Sequence, residues 1–199
     1  MRLTLDPLAT SLFTFVVLCW VAFAASFIFR KGPPRGEAPE RRRERASLFG
    51  IGLQGAGYAV AWGFHRPYFT PPSGNRAIDL SVSLLAAALA AFSVWFVVAA
   101  ARTLGRQWSF AARVVEGHQL VTEGPYNLVR HPIYTGMLGM LLATCAATTV
   151  PLAVPFAVAL CVIGTLVRVR SEEKLLRETF GADFDAYARR VSAFVPGVL

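Results

Sequence analysis

Glu123-Gly124-Pro125-Tyr126-Asn127-Leu128-Val129-Arg130-His131-Pro132-Ile133-Tyr134-Thr135-Gly136 is a polar, turn-rich stretch that separates two apolar segments of the chain. Gly124-Pro125 predicts a turn, because proline fixes its own backbone and restricts the residue before it. Pro132 is incompatible with a helix that runs through His131, but it suits the first turn of a new helix. We therefore expect His131 at the mouth of a helix that starts near Pro132, with Tyr134 on its first turn. At a membrane surface, such backbone could hold a small polar ligand.

Apolar blocks make up most of the remaining chain, and 55% of its 199 residues are hydrophobic. A helix needs about 20 residues to cross the hydrocarbon core of a bilayer. Five blocks reach or approach that length, at about 8–29, 46–64, 78–101, 134–150 and 152–169. Pro151 and Pro155 lie between and just inside the last two blocks, which predicts a tight helical hairpin. We expect an all-α integral membrane protein with five transmembrane helices, forming a single membrane domain over residues 1–199.

The net charge of +8 is distributed unevenly over this topology. Of the 20 lysine and arginine residues, 17 fall in the segments 30–45, 102–133 and 168–199, which five spans place on one side. The positive-inside rule assigns that side to the cytoplasm and the N-terminus to the outside. The basic excess then reflects topology and anionic headgroups of the lipid bilayer, so we expect no nucleic-acid partner. We expect the inner membrane of a bacterium or archaeon.

Two features of the sequence resemble known sites but lack their context. Gly50-Ile51-Gly52-Leu53-Gln54-Gly55 has the spacing of a dinucleotide fingerprint, but no strand pattern precedes it. The small residues of this region, at 46, 50, 52, 55, 56, 57 and 59, instead predict a face for close helix packing in lipid. Neither the three cysteines nor the three histidines show metal-ligand spacing, and His65 falls on the opposite side from His118 and His131. We expect no metal site.

A second informative stretch, residues 168–181, follows the last apolar block and is rich in ionisable groups. Such groups at the end of a membrane helix are costly unless they face a cavity or a partner. Arg168 and Glu172 share one helix face, and Glu173 lies on another. Phe184, Tyr187 and Val191 continue at helical spacing and predict an amphipathic cytoplasmic helix. The hairpin would bring this stretch beside Tyr134, either as a functional site or as an ion pair of Arg130 or Arg168 with Glu172 that ties the hairpin.

Several of these motifs, taken in order, resemble the isoprenylcysteine carboxyl methyltransferase and phospholipid methyltransferase superfamily. They are Gly124-Pro125-Tyr126, Arg130-His131-Pro132 with Tyr134 and Gly136, Glu172-Glu173, and Phe180-Gly181 with Phe184 and Tyr187. The resemblance implies an integral membrane enzyme that uses S-adenosylmethionine, releases S-adenosylhomocysteine, and forms its cofactor pocket within about residues 105–199, capped by the C-terminal helix. It implies cofactor contacts at His118, Gln119, Leu120, Val121, Tyr126, His131, Pro132, Ile133, Tyr134 and Glu172. It also implies a catalytic group of Arg168, Glu172 and Arg130, in which the arginines contact the substrate.

The methyl acceptor implied by the resemblance is amphipathic and lipid-like. Arg168 suits an anionic acceptor, which favours an isoprenylcysteine carboxylate. A phospholipid amine and a small thiol are alternatives, as is the nicotinamide chemistry of membrane sterol reductases, which resemble the same C-terminal half. A scaffold or small transporter without enzymatic activity is a further alternative, although the chain shows no inverted repeat.

Overall fold

The computed structural model describes residues 6–28, 45–67, 70–71, 73–105 and 119–197, and the regular elements within these ranges are helical. His118 therefore lies outside the described residues, as does the predicted basic loop at 30–45 except for Arg45. The α-helices are α1 (Pro7–Ile28), α2 (Arg45–Gly63), α3 (Arg76–Leu104), α4 (Pro132–Thr148), α5 (Val154–Phe180) and α6 (Ala182–Ala188). Two short 3-10 helices, Gly124–Asn127 and Pro151–Ala153, precede α4 and α5.

Three stretches within the described residues are long and apolar enough to cross a membrane: Pro7–Phe27, Arg76–Leu104 and Pro151–Phe180. They coincide with the first, third and fifth predicted spans and make the chain an integral membrane protein. The helix α4 is apolar but has only 17 residues. The helix α2 has 19 residues, and its five glycines and Gln54 dilute its apolar character. Both are helices where the sequence predicts them, while their crossing of the bilayer stays a prediction.

The connection between α4 and α5 is as short as the prolines predict, with Pro151 opening a 3-10 turn between Thr148 and Val154. The two helices nevertheless pack mainly against other partners, α5 along α2 and α4 along α3. The helix α5 also continues to Phe180, well beyond the predicted end of the last span at residue 169. The charged stretch that begins at Arg168 is therefore the end of the same rigid helix.

Close contact between α2 and α5 depends on glycines that face each other. A Cβ atom on Gly164 would lie 2.6 Å from the carbonyl oxygen of Gly50, and one on Gly57 would lie 2.7 Å from that of Ala157. In contrast, a Cβ on Gly52 or Gly55 would meet nothing within 4 Å. The predicted packing face is thus confirmed for Gly50 and Gly57, but Gly52 and Gly55 lie on the exposed side of α2.

The predicted amphipathic helix through Val191 is wrong in its extent. The helix α6 ends at Ala188, and the chain then turns back towards the start of α4. There the backbone N–H groups of Arg130 and His131 donate to the carbonyl oxygens of Ser192 and Ala193, each over 2.8 Å. These backbone hydrogen bonds outweigh the helical spacing of Val191, because the N–H groups before α4 would otherwise lack partners.

Candidate functional site

The turn before α4 has the form that the sequence predicts. Gly124 adopts a positive φ of 57°, which glycine tolerates without a Cβ penalty, and Pro125 follows at the start of the 3-10 helix. The carbonyl oxygen of Tyr126 accepts a hydrogen bond of 2.6 Å from the hydroxyl of Tyr187 in α6. Burial raises the pKa of Tyr187 to about 12, so this hydroxyl remains a donor. The turn is thereby fixed to the C-terminal part of the chain.

His131 and Tyr134 present their rings side by side at the start of α4. His131 is the N-cap of the helix and Pro132 its first residue, as predicted. The two rings stack with centroids 5.7 Å apart and an interplanar angle of 20°. Both side chains are almost completely buried, at 7% and 5% exposure. The first turn of α4 therefore offers an aromatic wall with a hydroxyl and two ring nitrogens.

Glu172, on the last part of α5, closes this arrangement. Its Oε1 accepts a hydrogen bond from the Tyr134 hydroxyl, and its Oε2 lies 3.3 Å from Nδ1 of His131. The predicted meeting of two polar stretches about 40 residues apart is therefore confirmed. The carboxylate is held from two sides by groups of α4.

Glu173 forms a second group of contacts beside the first. Its Oε1 lies 2.7 Å from Nη2 of Arg130, 2.8 Å from Nε of Arg130 and 3.3 Å from Nε2 of His131. Nη1 of Arg130 donates to the carbonyl oxygens of Ala188 and Val191. Of the two alternative ion pairs expected with Glu172, that of Arg130 is wrong, since Arg130 pairs with Glu173 and binds the C-terminal segment. The alternative pair is present, with Nη2 of Arg168 at 3.8 Å from Oε1 of Glu172.

His131 lies between the two carboxylates, and its protonation responds to both. Burial acts against the charged imidazolium, but the hydrogen bonds and charges of Glu172 and Glu173 outweigh it and raise the pKa of His131. A protonated ring donates from both nitrogens, one to each carboxylate. The ring thus links the Glu172 and Glu173 groups.

Arg168 completes the cluster one turn before Glu172. Its guanidinium carbon lies 4.8 Å above the centre of the Tyr134 ring, and its Nη2 lies 3.8 Å from Oε1 of Glu172. The residue is only 8% exposed although it carries a full charge. Buried charges in membrane proteins are costly and mark functional sites more often than structural ones.

The structure brings Arg130, His131, Tyr134, Arg168 and Glu172 together, with Tyr126 fixed on the adjoining turn. Gln119, Leu120 and Val121 precede that turn in irregular backbone, Gln119 exposed and the other two half-buried. Pro132 is buried and Ile133 half-buried at the start of α4. The contacts of these residues with a cofactor stay predictions.

Sequence reasoning missed two residues of the cluster, Glu173 and Gln54. Helical spacing puts Glu173 on a different face of α5 from Glu172, but His131 contacts both carboxylates from the start of α4. Gln54 on α2 contacts Arg168 and is 2% exposed. A polar side chain inside an apolar span was the available signal.

Comparison with known proteins places this arrangement in a family. A nickel-cobalt-cadmium resistance protein of Alcaligenes xylosoxydans xylosoxydans is 38% identical over 98 residues, which cover 47% of this chain and 44% of that protein. A protein-S-isoprenylcysteine O-methyltransferase of Arabidopsis thaliana, form B, is 36% identical over 99 residues, 48% of this chain and 50% of the enzyme. The matches thus span about half of these relatives or less. Among the described residues, no group of three or more His, Cys, Asp or Glu side chains is arranged to hold a metal ion.

The family model described as phospholipid methyltransferase matches residues 82–183. The match begins within α3 and ends in α6, so it includes His131, Tyr134, Arg168, Glu172 and Glu173. Since it covers more than half of the sequence, this chain belongs to the phospholipid methyltransferase family.

Proposed function

We propose that the chain is a membrane methyltransferase that moves a methyl group from S-adenosylmethionine to an amphipathic, lipid-like acceptor. The observation that carries the proposal is the buried cluster of His131, Tyr134, Arg168 and Glu172 at one end of the membrane helices, inside the family match. S-adenosylmethionine, when bound, supplies a methyl group on a positively charged sulfur. Methyl transfer needs little acid–base chemistry, so the protein contributes chiefly position and electrostatic environment.

The side chains of the cluster fit such a cofactor. Glu172 provides a carboxylate for a cationic sulfur or an amino group, and the Tyr134 hydroxyl orients that carboxylate. His131 and the turn at Tyr126 are suited to hold polar parts of the cofactor, such as its carboxylate and ribose. His118, Gln119, Leu120, Val121, Pro132 and Ile133 complete the proposed contacts.

Arg168 is the proposed contact for the acceptor. A buried guanidinium held over an aromatic ring suits a carboxylate, and an isoprenylcysteine carboxylate combines that charge with a lipid tail. With a phospholipid amine as acceptor, Arg168 would instead bind the phosphate. We assign Arg130 a positioning role, because Glu173 and two carbonyl oxygens already occupy its guanidinium.

Cofactor binding is tested by calorimetry on the detergent-purified chain. Glu172→Gln keeps the side-chain shape but removes the charge, and we expect S-adenosylmethionine affinity to fall about tenfold or more. Glu178→Gln, at an exposed position of the same helix, is the matched control and should bind as the wild type does. Absence of binding by the wild type, or equal binding by Glu172→Gln, would refute the proposal.

The acceptor class is tested with methyl-labelled S-adenosylmethionine and three acceptors: N-acetyl-S-farnesylcysteine, phosphatidylethanolamine and a small thiol. Label that is released by mild base identifies a methyl ester and supports the carboxylate. Base-stable label in the phospholipid identifies the amine instead. Oxidation of a reduced nicotinamide without any methyl transfer would favour the reductase alternative.

A further inference from the structure

We propose that Gln54 of α2 is a positioning residue that holds Arg168 in its orientation for the methyl acceptor. The inference rests on the proposed function and adds a residue from outside the family match, which begins at residue 82. It also assigns α2 a part in the site, although α2 is remote in sequence from the motifs that carry the family resemblance, which begin at Gly124.

The contacts of Gln54 fix the direction of its amide. Nη1 of Arg168 donates to Oε1 of Gln54 over 3.1 Å, and Nε2 of Gln54 donates to the hydroxyl of Thr165 over 2.9 Å. A guanidinium only donates hydrogen bonds, so the amide oxygen must face Arg168. The hydroxyl of Thr165 can accept from the amide nitrogen that remains. Both bonds lie in the buried interface between α2 and α5, where Gln54 and Thr165 are each 2% exposed.

The backbones of α2 and α5 pack so closely that the hydrogen bond between Gln54 and Arg168 has little freedom to move. A Cβ on Gly50 would lie 2.6 Å from Cγ of Arg168, and a Cβ on Gly164 would lie 2.9 Å from the backbone nitrogen of Gln54. The glycines therefore set the register of α2 against α5, and that register places Gln54 at the guanidinium. The aliphatic part of Arg168 lies against Gly50, while its head reaches Gln54.

The guanidinium of Arg168 is therefore contacted by side chains from three helices, α2, α4 and α5. Gln54 contacts Nη1, the Tyr134 ring lies under the guanidinium carbon, and Glu172 lies 3.8 Å from Nη2. Without Gln54, Nη1 loses this acceptor, and the guanidinium can shift towards the Glu172 carboxylate, which attracts it. The acceptor would then lose its oriented partner, while the groups around Tyr134 and His131 stay in place.

The test compares Gln54→Met with Thr144→Val in detergent, with N-acetyl-S-farnesylcysteine as the acceptor. Thr144 accepts a hydrogen bond of 2.9 Å from Trp20 between α1 and α4, so its replacement also removes an interhelical hydrogen bond but lies outside the cluster. We expect both variants to lose thermal stability. Gln54→Met alone should raise the KM for the acceptor about tenfold, with S-adenosylmethionine affinity changed less than about twofold.

A double-mutant cycle tests whether Gln54 acts through Arg168. In an Arg168→Gln background, the further change Gln54→Met should alter the acceptor KM by less than about twofold. Equal KM values for Gln54→Met and the wild type, or full additivity in the cycle, would overturn the inference and leave the proposed function intact. A wild type that binds no S-adenosylmethionine overturns the inference together with the proposed function on which it rests. A wild type that binds S-adenosylmethionine but does not methylate N-acetyl-S-farnesylcysteine overturns the inference for a carboxylate acceptor and leaves S-adenosylmethionine-dependent methyl transfer to another acceptor intact.

Discussion

Tyr134 contributes to the cluster in two separable ways, through its ring and through its hydroxyl. The ring stacks on His131 and lies under Arg168, whereas the hydroxyl donates to Glu172. Replacement by phenylalanine removes only the second contribution. The position therefore allows the carboxylate contact to be tested without removal of the aromatic wall.

We predict that Tyr134→Phe binds S-adenosylmethionine about three- to tenfold more weakly, because Glu172 loses one of the donors that orient it. The matched control is Tyr58→Phe, which removes the hydrogen bond of 2.7 Å from the Tyr58 hydroxyl to the carbonyl oxygen of Met137. Calorimetry should show normal cofactor affinity for the control. Similar losses of affinity in both variants would indicate a general effect on packing instead.

His131 predicts a pH dependence whose sign follows from its raised pKa. The folded protein binds the imidazole proton more tightly than the unfolded chain, in which the pKa of histidine is near 6.5. The stabilisation is therefore fully present below that pH and is lost as the pH rises through the higher pKa of the folded state. In His131→Gln, which stays neutral, this contribution is absent at every pH.

We therefore expect the difference in melting temperature between the wild type and His131→Gln to shrink as the pH rises from about 6 to about 9. Thermal unfolding of both proteins in the same detergent and buffer series measures it. A difference that stays constant or grows with pH would contradict the assignment of a protonated ring between Glu172 and Glu173.

At the scale of helices, the contact between α2 and α5 can be tested at four glycines, three of them close together on α2 and the fourth, Gly164, on α5. We predict that Gly50→Ala and Gly164→Ala destabilise the protein by about 1–3 kcal/mol, because the added methyl groups meet backbone and Arg168. In Gly52→Ala and Gly55→Ala the added methyl group points into open space. The higher helix propensity of alanine should then stabilise the protein by up to about 1 kcal/mol. Thermal unfolding of the four variants should thus separate them into two pairs.

The helices also show which parts of the site follow from sequence. Pro132 and Gly124-Pro125 act locally, so the start of α4 and the turn before it could be predicted from their own backbone chemistry. The partner of α5 could not, because apolar blocks in lipid give no periodic signal for which faces meet. Gly50 and Gln54 are recognisable only after α5 is placed against α2. The partner of Arg130 could not be predicted either. Glu172 and Glu173 are adjacent in the sequence, and only the packing of α5 decides which carboxylate meets Arg130.

For the molecule as a whole, the contacts define two ends of the helix bundle. Asp6 before α1 pairs with Arg76 at the start of α3 over 3.0 Å, and the end of α2 pairs with the end of α4 through Arg66 and Thr148. At the other end, Gly124 lies against Thr103 near the end of α3, and α4 begins beside the end of α5. The cluster and α6 belong to this second end.

The second end also carries most of the basic side chains in the described part of the chain, including Arg170, Lys174, Arg189 and Arg190. The positive-inside rule then predicts that the cluster faces the cytoplasm, where soluble S-adenosylmethionine is available. Single cysteines at two exposed alanines report the sides: Ala77→Cys at the start of α3 and Ala182→Cys at the start of α6. Both variants are made in a protein in which the buried Cys19, Cys145 and Cys161 are replaced, so that each carries one cysteine.

We expect a membrane-impermeant maleimide to label Ala77→Cys in intact cells and to label Ala182→Cys only after the membrane is opened or inverted. The physical reason is the cost of moving the arginines of the second end across the membrane, which fixes the orientation during insertion. Denatured samples of both variants should label equally, which controls for expression. Labelling of Ala182→Cys in intact cells would mean that the orientation is the reverse. The site would then face away from the cytoplasm and from its supply of S-adenosylmethionine.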